Sequence, residues 1–535
     1  MQRAPAAVRD MATETEAGDA PVGSADVLER DPAKNRSAPR LFAERSVIVL
    51  SVGGFAFYLL FSLTDYAQYL SGNDLGIFDQ AIRAYSHFDA PTVPVKAPGF
   101  DILGDHFHPL VAVLAPLYWL WDNPAMLLIA QAALVSLSIP FVYRFARRRA
   151  SHRVALVLGG AYAFAWPVQS MVDYDFHEVA FAAPLLAWAI DALDRRATRS
   201  LVVASVLLLL VREDMGLLVA IIGGIAWARD RRRSDTWWST LRGSVRHPGP
   251  LVVMFIIGGI VAFVVSTIVV IPAMSPYGNY HYWQFGGIGA NVHDALRTIV
   301  TRPWHVVHVF FTPSVKATTL IALIAPVLWF PLRSPYVLLS APLLAERFLN
   351  DRPQLWHMNY HYSLLPWLVL VMAFVDGAGK AGLFDPKPGP ASRRAAIAWF
   401  VAVTAVLGVV RATEWPYSPV RRIASWDQGI VEARAAADRI VPTNVCVAAS
   451  SWLIPHLTPR DYVTLPNLPL DGVDFIALDR TRPYISGYAP TDDVLRAAQA
   501  RGYQVVFRQD GIIVLKSPFY DGPSKACEPL GNGKG

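Results

Sequence analysis

Residues 251–271 read LVVMFIIGGIVAFVVSTIVVI, a run of 21 residues without a charged side chain. A helix of this length crosses the ~30 Å hydrocarbon core of a bilayer. The whole chain agrees with this, because 53% of its 535 residues are hydrophobic and only 17% are charged, against roughly 25% charged residues in a soluble domain. This composition excludes a disordered chain, argues against a purely soluble enzyme, and predicts a polytopic α-helical membrane protein.

Ten further apolar runs flank this one, so the sequence predicts about eleven spans. The other ten are 46–63, 124–145, 154–172, 178–193, 200–212, 214–229, 315–332, 335–346, 362–376 and 395–411. The short run 109–121 either spans or is re-entrant. We favour the re-entrant interpretation, because it leaves the basic cluster 144–153 on the same side as the N-terminus, and cytoplasmic loops carry an excess of Lys and Arg.

This topology predicts a multi-pass protein of the cell membrane with its N-terminus inside and its C-terminus outside. Residues 1–45 lack an apolar period and are expected to be a disordered cytoplasmic tail. Residues 46–411 form the transmembrane domain, with a large first outer loop at 64–123. Residues 412–535 alternate short β-rich runs with helical stretches, which is typical of a small extracytoplasmic α/β domain.

The outer domain is expected to contain four strands and two helices. The strands are predicted at 445–449, 474–478, 504–507 and 511–516, and the helices at 423–440 and 491–501. Cys446 and Cys527 are the two cysteines of the chain. In an oxidising compartment they form one disulfide, unless their Cα atoms lie more than ~7 Å apart.

The apolar run 201–228 is interrupted at its centre. In a single straight helix, the charged residues Arg212, Glu213 and Asp214 would lie in the middle of the bilayer, where unpaired charges are costly. We therefore expect a helical hairpin whose tip carries these three residues and faces the outside or a polar cavity.

Polar clusters accumulate on the outer side of this topology. They occur in NDLGIFDQ (73–80), GDHFHP (104–109), DYDFHE (173–178), the hairpin tip, and the segment 347–361. The site candidates in these clusters are Asp74, Asp79, Asp105, His106, His108, Asp175, His177, Glu178, Arg212, Glu213, Asp214, Arg347 and His361. Their convergence on one side predicts a functional site on the outer face.

Each cluster also has a structural interpretation. Asp74 can be an N-terminal helix cap, and Asp79 lies off the helix face that Asp74 would occupy. Asp105, His106 and His108 can belong to a hydrated loop. The same two imidazoles and nearby carboxylate can also bind a divalent metal ion.

The basic and aromatic residues of the outer segments are equally open to two interpretations. Arg347 or Arg352 can hold a phosphate group or reach toward lipid headgroups. The aromatic residues and histidines of 275–311 can form a membrane-interface belt or stack on sugar rings. No basic motif for nucleic acid is present, so no nucleic-acid partner is expected.

The motifs DLGIFDQ (74–80), GDHF (104–107), DFHE (175–178) and EDMG (213–216) carry a family resemblance. In this order they resemble the recurring motifs of a bacterial multi-span membrane protein family, the domain of unknown function 2079. That family is similar in outline to membrane glycosyltransferases of the C-type fold. The resemblance implies a glycosyltransferase C-type-like fold with a catalytic acidic residue in the first outer loop.

On this resemblance, Asp74 is the catalytic base and Asp105 is the second choice, while the remaining candidates bind substrate. The implied partners are a polyprenyl-phosphate-sugar donor, an envelope glycan, lipid or protein acceptor, and membrane lipids. Such a transfer needs a carboxylate that accepts the proton of the acceptor hydroxyl. It also needs positive groups or a divalent metal ion beside the leaving phosphate. The metal is the one cofactor considered.

Two other functional classes remain open at this stage. A transporter or flippase of a lipid-linked or small polar solute would need charged residues along a path reachable from both faces. A membrane scaffold or sensor would use the clusters for structure. The acidic clusters lie at the outer ends of the predicted spans only, which favours the glycosyltransferase.

Overall fold

The computed structural model describes residues 44–231, 249–385, 391–413, 427–467, 470–481 and 490–523. Most of these residues are helical, and a small sheet lies near the C-terminal end. The predicted tail 1–45 lies outside the described residues except for its last two positions.

Helices fill the described part of the predicted transmembrane domain. The first nine are α1 (Arg45–Ala67), α2 (Asn73–Ser86), α3 (Ala115–Tyr118), α4 (Ala125–Arg147), α5 (His152–Ala163), α6 (Trp166–Val172), α7 (Val179–Arg195), α8 (Thr198–Leu209) and α9 (Met215–Arg231). They are followed by α10 (Pro250–Val265), α11 (Ile271–Met274), α12 (Val292–Thr301), α13 (Pro303–Phe311), α14 (Ser314–Ile324), α15 (Ser340–Leu349), α16 (Pro353–Trp356), α17 (Leu364–Lys380) and α18 (Ala391–Thr413).

Five to seven spans are supported by helix length and composition in the part of the chain that the structure describes. The five continuous ones are Arg45–Ala67, Ala125–Arg147, Pro250–Met274, His361–Lys380 and Ala391–Thr413. Two bent pairs, α5 with α6 at 47° and α13 with α14 at 80°, can add two more. The predicted runs 178–193, 200–212, 214–229 and 335–346 form helices of 17 residues or fewer, so the total of eleven remains a prediction.

The expected hairpin is present between α8 and α9. α8 ends at Leu209 and α9 begins at Met215, so the charged residues 212–214 lie in the turn. α9 then packs closely on α10, because a Cβ atom at Gly216 would lie only 2.4 Å from the carbonyl oxygen of Gly259. Small residues allow such close approach between membrane helices.

An ion-pair network joins α4, α7 and α17 at the ends that carry the predicted cytoplasmic loops. Arg148 contacts Asp191 at 2.6 Å, and Arg149 contacts Asp194 at 2.7 Å and Asp376 at 2.8 Å. These arginines therefore also have a structural role, because each forms ion pairs with carboxylates of neighbouring helices.

The C-terminal part contains a five-stranded mixed sheet in the order β2-β1-β3-β5-β4. Its elements are α19 (Gln428–Ile440), β1 (Cys446–Ala449), α20 (Ile454–Leu457), β2 (Tyr462–Thr464), β3 (Phe475–Asp479), α21 (Thr491–Ala500), β4 (Gln504–Gln509) and β5 (Ile512–Lys516). The four predicted strands are present, whereas the three-residue β2 was not predicted. Cys446 is disulfide-bonded, and Cys527 lies outside the described residues.

The sheet region packs directly on the start of α2. Arg434 is buried and donates to Asp479 at 2.8 Å and to the carbonyl oxygen of Tyr69 at 3.1 Å. The ring of His456 stacks on Tyr69 with centroids 3.7 Å apart. These contacts fix the segment that leads into α2, which begins at Asn73.

Candidate functional site

A cavity of about 900 Å³ lies between α2, the segment 104–108, the hairpin tip, the segment 275–299 and the residues around 342–362. Leu465 and Asn467 of the sheet region complete its wall. The predicted site residues that line it are Asp74, Asp105, His106, His108, His177, Glu178, Arg212, Asp214 and His361. The structure thus brings together residues that are up to 287 positions apart in the sequence, from Asp74 to His361.

Asp74 lies in the first turn of α2 and faces this cavity. Its Oδ1 accepts from the Asn73 amide at 3.2 Å, and its Oδ2 accepts from the Tyr174 hydroxyl at 3.0 Å. The N-cap residue of α2 is Gly72, which has no side chain to cap the helix. Asp74 is therefore not the capping residue that one interpretation of the sequence suggested.

His177 lies beside Asp74 and pairs with its carboxylate. Its Nδ1 lies 2.9 Å from the carbonyl oxygen of Asp175, which can only accept, so Nδ1 carries a proton and Nε2 faces Asp74 Oδ2 at 3.5 Å. Burial opposes protonation of this imidazole, but the hydrogen bond and charge of Asp74 outweigh it and raise the pKa of His177. Burial also opposes ionisation of Asp74, and His177 and Tyr174 outweigh that and lower its pKa. The pairing therefore favours an ionised Asp74 beside a protonated His177.

Asp175 does not line the cavity but fixes the start of α2. Both of its carboxylate oxygens lie 2.9 Å from the backbone N–H of Gly72. Burial, followed by the charge of Asp74, raises the pKa of Asp175 to about 7. A Cβ atom at Gly72 would lie 3.0 Å from Asp175 Oδ2 and 2.8 Å from Ser451 Oγ, so this contact needs a glycine.

A second acidic group lies around Asp105. The Lys96 Nζ atom is 2.5 Å from Asp105 Oδ2, and the Tyr282 hydroxyl donates to Oδ1. Although burial opposes ionisation, Lys96 and His106 keep the pKa of Asp105 well below its usual range. Asp105 is therefore, like Asp74, a carboxylate held ionised by its neighbours.

His106 faces Glu213, which lies just outside the cavity wall. The Nδ1 atom of His106 is 2.7 Å from Glu213 Oε1, and the backbone N–H of Phe107 donates to Oε2 at 3.1 Å. The Tyr280 hydroxyl also donates to Glu213 at 3.2 Å. Burial opposes protonation of His106, but Glu213 outweighs it and raises the pKa. The hairpin tip is thus tied to the first outer loop.

The predicted metal set does not assemble. Within the described residues, no group of three or more His, Cys, Asp or Glu side chains could hold a metal ion. Asp105 is paired with Lys96, and His106 contacts Glu213 through Nδ1. His108 is buried on the cavity wall with neither ring nitrogen hydrogen-bonded. Asp105 and His106 are therefore engaged by separate partners, and the three residues do not form a common ligand set.

Arg212 and Arg347, two of the predicted site residues, form ion pairs or hydrogen bonds with other residues of the protein. Arg212 contacts Asp214 at 2.6 Å, Glu178 at 3.6 Å and Glu346 at 3.7 Å. Arg347 is buried away from the 900 Å³ cavity and donates to the Ser363 hydroxyl and to the carbonyl oxygens of Leu355 and His357. Both guanidinium groups are therefore engaged by neighbouring residues of the protein.

Arg352 and Lys96 are better placed to meet an anion. Both line the cavity, and the Arg352 guanidinium carbon lies 5.3 Å from the centroid of the Tyr282 ring. Among the described residues Arg352 forms no ion pair, whereas Lys96 shares its charge with Asp105. Tyr282 links the two cations indirectly. Its hydroxyl donates to Asp105, which pairs with Lys96, and its ring lies beside Arg352.

Asp79 has a structural role on the other side of α2. It is completely buried, and its carboxylate accepts from Arg83 at 2.9 Å and from the Tyr118 hydroxyl at 2.7 Å. It does not line the cavity. The expectation that Asp74 and Asp79 occupy different helix faces is confirmed.

Aromatic and imidazole rings run across the wall between the two acidic groups. In order, the neighbouring ring centroids are separated by 4.2 Å for Tyr282–His106, 6.5 Å for His106–His108, 5.6 Å for His108–Phe78, 5.9 Å for Phe78–His177 and 3.8 Å for His177–His361. This arc combines flat apolar faces with polar ring atoms.

Lys96, Tyr174 and Tyr282 are site residues that sequence reasoning missed. A signal existed for Lys96, because Arg83 and Lys96 are the only Lys or Arg residues in the first outer loop, 64–123. Tyr282 was noticed only as part of an aromatic segment. For Tyr174 the signal was its place within DYDFHE (173–178).

Comparison with known proteins adds a family. A family model described as "Predicted membrane protein (DUF2079)" matches residues 66–514. No curated protein matches the chain. The matched range includes α2, the hairpin tip, and the sheet up to β5.

Proposed function

Since the chain belongs to the DUF2079 family of predicted membrane proteins, we propose that it is a membrane glycosyltransferase of C-type-like architecture. Its donor is a polyprenyl-phosphate-linked sugar, and its acceptor is an envelope glycan, lipid or protein. The reaction takes place on the outer face of the cell membrane. This orientation, the eleven spans and the extracytoplasmic position of the sheet region are parts of the same proposal.

The observation that carries the proposal is the Asp74–His177 pair on the wall of the 900 Å³ cavity. Asp74 is ionised at neutral pH and is partly exposed, with 27% of its side-chain surface accessible. A positioned carboxylate of this kind can accept the proton of an attacking hydroxyl. The hydrogen bonds from Asn73 and Tyr174 hold it in one orientation.

In the proposed reaction, the acceptor hydroxyl oxygen attacks the anomeric carbon of the donor sugar. The bond between that carbon and the phosphate oxygen breaks, and its electron pair stays on the phosphate. The hydroxyl proton moves to Asp74, and configuration at the anomeric carbon inverts. Lys96 and Arg352 stabilise the negative charge on the leaving polyprenyl phosphate.

The ring arc suits a carbohydrate ligand. Sugar rings pack their apolar faces on aromatic side chains, while the imidazole of His361 offers a polar atom to a hydroxyl group. A cavity of about 900 Å³ lies in the size range of sites for small-molecule ligands. A transporter or scaffold function has no comparable support from this arrangement.

The test compares Asp74→Asn with wild type in a strain that lacks the gene. Asp89→Asn is the matched control, since Asp89 is exposed in the same outer segment. We expect Asp74→Asn to lower transfer by about 100-fold or more, as expected for loss of a general base. Mass spectrometry of lipid extracts and envelope glycans should then detect an accumulated polyprenyl-phosphate sugar and a missing glycan residue.

Full transfer by a correctly folded Asp74→Asn protein would overturn the assignment of the base. Unchanged lipids and glycans in the deletion strain would overturn the glycosyltransferase itself. In that case, solute flux in proteoliposomes becomes the decisive measurement for the transporter alternative.

A further inference from the structure

The apolar wall of the cavity includes one face of α12. Val292, Ala295, Leu296 and Ile299 line the cavity, and their i, i+3, i+4, i+7 spacing places them on one stripe of the helix. The opposite face carries His293 and Asp294, whose side chains are 86% and 45% exposed. α12 is thus an amphipathic helix whose apolar stripe faces the cavity.

This apolar stripe is not covered by the part of the chain that the structure describes. Val292, Leu296 and Ile299 are 57%, 58% and 43% exposed, although they line a cavity. Leu217 and Leu218 of α9 and Phe263 of α10 also line it. Apolar surface left open inside a cavity gains free energy when a hydrocarbon ligand covers it.

Lys96 and Arg352 line the same cavity. The cavity lining is therefore amphiphilic, because it combines these cations with the apolar trough. A ligand that matches both parts has an anionic head and a hydrocarbon chain.

We propose that the apolar trough formed by α9, α10 and α12 holds the prenyl chain of a polyprenyl phosphate, with its phosphate at Lys96 and Arg352. This inference deepens the proposed function, because it says where the lipid part of the donor lies. A cavity of about 900 Å³ accommodates the head and the first part of the chain. The remainder of a long chain continues toward α13, whose residues are not buried.

The chain offers a matched pair of variants on α12. Ile299→Ser removes a β-branched side chain from the stripe. Val300→Ser makes the same kind of change one residue later, at a side chain that is 79% exposed and does not line the cavity. Both substitutions alter helix propensity similarly, so a difference between them reports on the cavity.

Binding is measured on the full-length protein in detergent micelles without added phospholipid. The probes are a polyprenyl phosphate that carries a diazirine in its chain and a short-chain prenyl phosphate. We expect Leu296→Ser and Ile299→Ser each to weaken binding of the long-chain probe by about tenfold and to leave the short-chain probe unchanged. Val300→Ser should affect neither. Arg352→Met should weaken binding of both probes, because it acts on the phosphate.

Photo-crosslinks to α9, α10 or α12 would support the chain position, whereas crosslinks confined to other helices would overturn it. Equal effects of Ile299→Ser and Val300→Ser would also overturn it, as would competition by an ordinary glycerophospholipid at the same concentration. The measurement requires no turnover. A protein that binds the probe through α12 but transfers no sugar would refute the proposed function alone.

Discussion

Asp175 acts on Asp74 through backbone geometry and charge. Its carboxylate holds the Gly72 N–H at the entrance to α2, and it lies close enough to Asp74 for the two charges to repel. Two neighbouring carboxylates favour one proton between them. The residue therefore couples the pH to the stability of the site.

This coupling has a definite sign. The pKa of Asp175 is raised to about 7 in the folded protein, whereas an unfolded chain ionises Asp near its ordinary value of about 3.9. The folded state therefore binds the extra proton. The contribution of Asp175 to the free energy of unfolding is fully present below the pKa of Asp175 in the unfolded chain. It is lost as the pH rises toward about 7.

Asp175→Asn should remove the loss of stability that accompanies ionisation of Asp175 as the pH rises. We expect its melting temperature, relative to that of wild type, to rise between about pH 5 and about pH 8, because the amide cannot ionise. Thermal unfolding in one detergent at several pH values measures it, with Asp89→Asn as the control. A constant difference across this range would show that Asp175 does not carry the effect.

At the scale of elements, α2 is held between the membrane helices and the sheet region. Asn73 donates through its backbone N–H to the Ser451 hydroxyl at 2.9 Å, and that hydroxyl donates to the Asn73 side chain at 2.9 Å. The Asn73 amide in turn contacts Asp74. The sheet region therefore orients the base as well as covering the helix.

Gly76 is the point of closest packing between α2 and α20. A Cβ atom at this position would lie 2.3 Å from Cγ2 of the buried Ile454. Gly76→Ala should therefore lower the free energy of unfolding by about 1–3 kcal/mol through overpacking, despite the better helix propensity of alanine.

A second substitution distinguishes this clash from a general effect of alanine. In Gly76→Ala/Ile454→Ala, the smaller side chain makes room for the new methyl group. We expect the double variant to be more stable than the two separate changes would predict, as measured by a double-mutant cycle of melting temperatures. Simple additivity would contradict a direct contact.

At the scale of the whole molecule, the charges are divided between two ends of the helices. The ion-pair network of α4, α7 and α17 lies at one end, and the cavity with its acidic groups lies at the end that meets the sheet region. The excess of Lys and Arg around the first end favours its placement in the cytoplasm.

The proposed orientation is testable with reporters fused after Lys516. Alkaline phosphatase is active only outside the cytoplasm, so a fusion at this position should be active, while a green fluorescent protein fusion should stay dark. A reporter in the loop 229–248, which the topology places inside, is the opposite control. A fluorescent C-terminal fusion would invert the topology and move the site to the cytoplasmic face.

Local sequence patterns were sufficient for the membrane class, the interrupted hairpin at 212–214 and the four longer strands. Each depends on residues close in sequence, because the transfer free energy of an apolar run and the cost of a charge at its centre are local quantities. The short β2 lacked such a pattern, because three residues carry too little periodicity.

Only the tertiary structure decided which polar residues share the cavity and which are neutralised. Asp74 pairs with His177, about 100 residues later in the sequence, and Lys96 forms an ion pair with Asp105. Arg347 donates hydrogen bonds to nearby backbone carbonyls. Charge, hydrogen bonding and desolvation depend on what lies opposite a side chain in space. The sequence by itself therefore determined that the chain is a helical membrane protein, while packing determined which polar residues share the cavity and which charges are paired.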